Sequence, residues 1–201
     1  MKAKILTIVA LAAILSLTTK NIYATTSKND AYVVLNDIKA VNKIEVYGNV
    51  ELFITSNMTE KVQVYNKYYS ESALVQSRKG VLRISSYNNE KLIVWVSAND
   101  LRSVSAFDNA EVRSFGNVSN IEFSVDLHNN ATAKLNLDVY NADITLKDNS
   151  KIELSGTANQ LTIDRNINAT LTDADFTAEF ATDHMIVAPV IAKNDEIIGL
   201  E

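Results

Sequence analysis

Phe107-Asp108-Asn109-Ala110-Glu111-Val112 returns in altered form three times, as His128-Asn129-Asn130-Ala131-Thr132-Ala133, Lys147-Asp148-Asn149-Ser150-Lys151-Ile152 and Asn166-Ile167-Asn168-Ala169-Thr170-Leu171. Asn109, Asn130, Asn149 and Asn168 therefore recur at intervals of 21, 19 and 19 residues. Between them lie short alternating stretches, Ile121-Glu122-Phe123-Ser124-Val125, Ala142-Asp143-Ile144-Thr145-Leu146 and Leu161-Thr162-Ile163. Alternation turns successive side chains to opposite faces of a strand, so each repeat reads as two short strands and two corners. A unit of about 20 residues cannot bury its apolar stripe alone and has to stack on its neighbours. A β-sandwich and a parallel β-solenoid both offer such stacking. Tight sandwich turns usually ask for glycine, whereas a solenoid places the equivalent residue of every coil at one corner. The asparagine spacing favours the solenoid, because Asn tolerates the left-handed region best after Gly.

Outward from the repeats the period stays at two. Ile44, Val46, Val50, Leu52 and Ile54 share one parity, and Val62 with Val64, Val81 to Ile84, Leu92 to Val96 and Leu101 to Val104 read the same way. No mature segment carries a convincing i, i+3, i+4, i+7 pattern, so little helix is expected. Residues 30–100 repeat less cleanly and hold the large side chains Tyr65, Tyr68, Tyr69, Tyr87 and Trp95. They read as first coils with hairpin-like excursions that cover one end of the stack. The tail from His184 to Glu201 loses the asparagine pattern and contains the one proline, Pro189. It is either a capping last strand or a loosely attached end.

The 201 residues are 47% apolar and 21% charged, with five glycines, 22 asparagines and no cysteine. This suits a folded chain and excludes a disulfide-stapled miniprotein, a Cys-ligated metal protein and a thiol enzyme. Lys2 and Lys4, the apolar run Ile5 to Leu17 and the small residue Ala24 have the layout of a secretory signal peptide. The apolar run is too short for the roughly 20 residues of a membrane-spanning helix. Removing residues 1–24 takes away three lysines and no acid, leaving 16 basic against 24 acidic groups, or −8. Such a field repels nucleic acid. The expected organisation is a signal peptide over 1–24, a linker over 25–37, a β-solenoid domain over 38–183 and a C-terminal cap or tail over 184–201. Export leads to the periplasm, the cell surface or the medium, with no membrane-spanning segment after cleavage.

The signal peptide, the opening strand Val41-Asn42-Lys43-Ile44-Glu45-Val46-Tyr47-Gly48-Asn49-Val50-Glu51-Leu52, the later Leu101-Arg102-Ser103-Val104-Ser105-Ala106-Phe107-Asp108-Asn109-Ala110-Glu111-Val112 and the repeats of that last pattern resemble the putative auto-transporter adhesin head GIN domain family of Bacteroidetes-type bacteria. The resemblance covers about residues 38–180. It implies a right-handed parallel β-helix exported to the cell envelope, and it brings no enzymatic activity with it. The corners depart from the Ser-Gly-rich family pattern, since Asp and Asn stand in their place, and the closing Gly-rich coil is missing.

Candidate chemistry is thin. His128, with Asp126 two residues before it, and His184, with Asp183 just before it, have no ligand-spacing motif and read as surface polar residues, so no metal and no cofactor is expected. No Gly-x-Ser-x-Gly elbow exposes a serine nucleophile. Asp108, Asp148, Asp173 and Asp175 could project from corners as glycosidase carboxylates, which makes a carbohydrate-active β-helix enzyme the alternative to a binding module. Solvated corner residues are the plainer reading. Binding is easier to support: a long regular face could hold an extended glycan or an envelope protein through Thr132, Thr145, Thr162, Thr170 and the asparagines. Tyr65, Tyr68, Tyr69 and Trp95 are candidate ligand contacts if exposed, and packing into the N-terminal cap is their other reading. The expected structural corner ladder is Asn109, Asn130, Asn149 and Asn168. Four Asn-x-Ser/Thr sequons, at Asn57, Asn117, Asn130 and Asn168, read as accidents of an Asn- and Thr-rich chain.

Overall fold

The computed structural model describes residues 32–56, 59–65 and 73–187. The expected leader 1–24 and most of the tail lie outside them. Alternation produces strands throughout: β1 (Tyr32–Leu35), β2 (Lys43–Gly48), β3 (Val50–Ser56), β4 (Lys61–Tyr65), β5 (Ala73–Arg78), β6 (Val81–Ser86), β7 (Leu92–Ala98), β8 (Ser103–Phe107), β9 (Glu111–Ser114), β10 (Val118–Leu127), β11 (Thr132–Leu146), β12 (Lys151–Asn166) and β13 (Thr170–Ile186). They join in one sheet, in the order β1-β4-β7-β3-β9-β11-β10-β8-β2-β6-β5, with β12 added on β11 and β13 on β12.

This topology corrects the expected right-handed parallel β-helix of about 20-residue coils. The sheet is a curled half-barrel of mixed strands. β1 pairs with β4, β4 with β7 and β5 with β6 in antiparallel fashion. Lys79 (φ 51°) and Gly80 (φ 80°) make the two-residue turn between β5 and β6, where both central residues take positive φ. In the repeat region the expected short strands are fused: β11, β12 and β13 run for 15, 16 and 17 residues.

The physical reason lies in the second corner of each repeat. A bend needs the inward stripe to change parity, but it does not need the hydrogen-bond ladder to stop. In β11 the buried residues are Ala133, Leu135, Leu137 and Val139, then Ala142, Ile144 and Leu146. Odd numbers give way to even ones at Tyr140-Asn141, while pairing with β12 continues on both sides. β12 makes the same switch at Asn159-Gln160, between Ala158 and Leu161. These aligned switches curl the sheet around its own inner face.

The repeat does specify register. Thr132 pairs in parallel with Glu111, 21 residues earlier, and with Lys151, 19 residues later. The inner stripes thus stack like on like, as in Val104, Val125 and Ile144. The core so enclosed runs from Ile38 to Ala169 and includes Phe123 at 1% exposure. It thins at β13, where Leu171, Phe176 and Ala178 are partly buried.

Candidate functional site

Four two-residue turns line one corner of the curled sheet. In each, the amide of the residue after the turn donates to the carbonyl before it: Ala110 to Phe107 (3.2 Å), Ala131 to His128 (3.0 Å), Ser150 to Lys147 (3.2 Å) and Ala169 to Asn166 (3.0 Å). The left-handed residues are Asp108 (φ 62°), Asn129 (φ 58°) and Asp148 (φ 57°). Asn109, Asn130 and Asn149 therefore stand second in their turns, with ordinary φ. At the fourth turn Asn168 follows Ile167, a β-branched residue that avoids the left-handed region, and no positive φ occurs there.

Side chains at the left-handed positions tie the turns together. The Asp108 amide donates to Asn129 Oδ1 at 3.2 Å, and the Asn129 amide donates to Asp148 Oδ2 at 2.9 Å. Asn130 Nδ2 reaches Asn109 Oδ1 at 3.4 Å. At the head of this ladder the Tyr87 hydroxyl donates to Asp108 Oδ2 at 3.0 Å, and that bond pushes the Tyr87 phenol up. Gly48 (φ 82°) makes room for this reach: a Cβ there would meet the Ser86 carbonyl oxygen at 2.2 Å and the Tyr87 ring at 3.1 Å. Asn49 Nδ2 donates to the carbonyls of Asn88 and Asn89 at 3.1 and 3.2 Å. A cleft of about 520 Å³ opens among Gly48, Asn49, Tyr87, Asn88, Asn89, Asp108 and Asn109. Sequence reasoning did not gather these residues, although Tyr87 precedes Asp108 by 21 residues, one repeat interval.

A second concavity, of about 300 Å³, lies on the outer face of β9, β11, β12 and β13. Register builds it from two columns, Glu111-Thr132-Lys151-Thr170 and Arg113-Lys134-Glu153-Thr172. Opposite charges neutralise one another along it: Arg113 lies 3.0 Å from Glu51, Lys91 lies 2.6 Å from Glu111 and Lys134 lies 2.5 Å from Glu153. The Lys91 hydrogen bond holds the Glu111 carboxyl below the usual carboxylate range against the upward push of burial, with Arg113 adding to it. Thr145 and Thr162 lie elsewhere, pairing with Asp164 and Asp143.

Among the expected ligand contacts, Tyr68 and Tyr69 lie outside the described residues. Trp95 is half-buried on the outer face, with one ring face stacked on Phe53 at 4.5 Å and Phe115 set edge-on at 5.5 Å. Tyr65 lies against Tyr32 at 5.1 Å. A separate outer stack joins Tyr47, Phe107 and His128, each centroid 4.6 Å from the next.

The histidines stay apart and each has its own acid: His128 Nε2 lies 2.9 Å from Asp126 Oδ2, and His184 Nδ1 lies 3.1 Å from Asp164 Oδ1. Asp183 instead meets Arg165 at 2.8 Å. Among the described residues no group of His, Cys, Asp or Glu is arranged to hold a metal ion. Of the corner carboxylates, Asp108 and Asp148 accept the ladder hydrogen bonds, while Asp173 and Asp175 stand exposed on β13. The arrangement offers hydrogen-bonding columns, paired charges and ring edges, which suit recognition.

Known structures share this fold at low identity. A putative adhesin from Bacteroides fragilis matches 78% of each chain at 13% identity, with a TM-score of 0.64. A putative adhesin from Parabacteroides merdae matches 77% of each at 14% identity and a TM-score of 0.59. A putative lipid binding protein from Parabacteroides distasonis matches 79% of each at 12% identity and a TM-score of 0.54. No curated protein matches the chain. Residues 40–184 match the family model for the putative auto-transporter adhesin, head GIN domain. That span takes in the whole of both quoted segments and the whole turn ladder, and the chain belongs to this family.

Proposed function

We propose that the protein is an exported, non-enzymatic binding module of the cell envelope, adhesin-like, which holds an extended glycan or envelope protein against the outside of its curled sheet. The observation that carries this reading is the pair of columns over β9, β11, β12 and β13, where register repeats polar groups at strand spacing along a shallow groove. Repetition of that kind matches a polymer better than a single reactive bond. Family membership supports it, and the leader-like residues 1–24 support export. The carbohydrate-active alternative gains nothing from the corners, because Asp108 and Asp148 already serve the ladder.

The test immobilises residues 25–201 and passes envelope extract and a polysaccharide panel over them. Retention without release of reducing sugar is expected. Sugar release that disappears in the combined Asp148→Ala, Asp173→Ala and Asp175→Ala variant overturns the reading in favour of the enzyme.

A further inference from the structure

We propose that the cleft at the head of the turn ladder, lined by Asn49, Tyr87, Asn88, Asn89, Asp108 and Asn109, is a subsite for a neutral saccharide. It rests on the reading of the protein as a binding module and adds a place and a ligand class to it. The cleft's volume, about 520 Å³, falls in the range of small-ligand pockets, about 300–1,000 Å³. Its lining is amide-rich where such pockets are usually apolar. An amide offers donors and an acceptor together, which is what a ring of hydroxyl groups requires.

The internal hydrogen bonds fix these groups and still leave unused hydrogen-bonding atoms on residues that line the cleft. Asn49 uses Nδ2 on two carbonyls, so its Oδ1 remains an acceptor. Asn88 Oδ1 accepts from the Asn89 amide at 2.7 Å, which leaves the Asn88 Nδ2 donors. Asp108 accepts the Tyr87 hydroxyl's hydrogen bond on Oδ2 and can accept a sugar hydroxyl on Oδ1.

Tyr87 supplies the other half of saccharide recognition. The residue is 73% exposed, yet its hydroxyl is tied down, so the ring is held at the rim as an apolar wall for the C–H face of a sugar. An exposed aromatic held in place loses little entropy when a ligand arrives. Charge selects against acidic sugars: among the described residues no Lys or Arg lines the cleft, Asp108 lies inside it, and the chain without its leader carries −8.

The test titrates residues 25–201 calorimetrically with the neutral hexasaccharides of the cellulose, laminarin, mannan and xylan series, with oligogalacturonate as the anionic comparison. Binding of at least one neutral member is expected. Tyr87→Ala should weaken it about tenfold and Asn109→Ala about fivefold, with Tyr140→Ala, on the exposed bend outside both grooves, unchanged. Tyr87→Phe keeps the ring and guards against a folding artefact; it should bind between wild type and Tyr87→Ala. Preference for oligogalacturonate, binding of none of the neutral members, or neutral binding indifferent to Tyr87 overturns the subsite. If Tyr87→Ala still retains envelope material as wild type does, the module reading stands and the saccharide subsite falls alone.

Discussion

Gly156 shows how a single residue answers to its neighbours on the sheet. It has φ 103°, and a Cβ there would meet the Leu137 carbonyl oxygen at 2.0 Å and Asn136 Oδ1 at 2.7 Å. Both the backbone angle and the space exclude a side chain, so Gly156→Ala should cost at least about 1–3 kcal/mol, read as a lower urea midpoint. An unchanged midpoint would show that the strand relaxes freely there. Asn129 tests the ladder. It holds φ 58° and accepts from the Asp108 amide, so Asn129→Ala loses both fit and bond and should cost about 1–2 kcal/mol. Asn129→Gly keeps the backbone fit and should cost less. Equal losses would mean that the backbone angle contributes nothing.

β11 and β12 were legible as apolar alternation, but their length was not. The switch from odd to even parity at Tyr140-Asn141 looks in sequence like the end of one strand and the start of another. The same switch is what a continuous strand shows when it bends, and only the unbroken pairing with β12 tells the two apart. In β10 the inward stripe resumes at Phe123, whose ring is wholly enclosed. Phe123→Ala should therefore cost about 3–5 kcal/mol, whereas Tyr140→Ala, on the exposed bend, should stay within about 0.5 kcal/mol. Thermal or urea unfolding of the two variants makes the comparison. Similar losses would contradict the inward assignment.

Across the whole molecule, paired carboxylates make stability depend on pH, and two of them, Glu45 with Arg83 and Glu111 with Lys91, also tie distant segments together. Burial pushes the Glu45 carboxyl up, but hydrogen bonds from Arg83 and Lys43 and their charges outweigh it and hold the group below its ordinary range. Arg102 does the same for Asp100, and Lys91 for Glu111. A carboxyl lowered in the folded state binds its proton less readily than in the unfolded chain. Its contribution is thus complete above the ordinary carboxylate range and fades as pH falls through the lowered folded value. Melting temperature should fall steadily under acid, and Glu45→Gln should flatten part of that fall while lowering stability at neutral pH. A Glu45→Gln profile parallel to wild type would remove Glu45 from the account.

Local alternation and the 19- and 21-residue spacing were enough to predict an all-β chain, most of its inward stripes and a stacking repeat, because side-chain parity and turn chemistry are short-range properties, though Ile121, alternating with Phe123 and Val125, lies exposed. Which strand lies beside which, and in which direction, was decided by tertiary structure. A strand turns the same residues inward whether its neighbour runs with it or against it, so nothing in Val62-Gln63-Val64 announces antiparallel pairing with β7. The asparagine turns were visible, yet the cleft at their head was not. It forms only when β2 is laid between β6 and β8, which brings Tyr87 past the bare backbone of Gly48 to the Asp108 carboxylate.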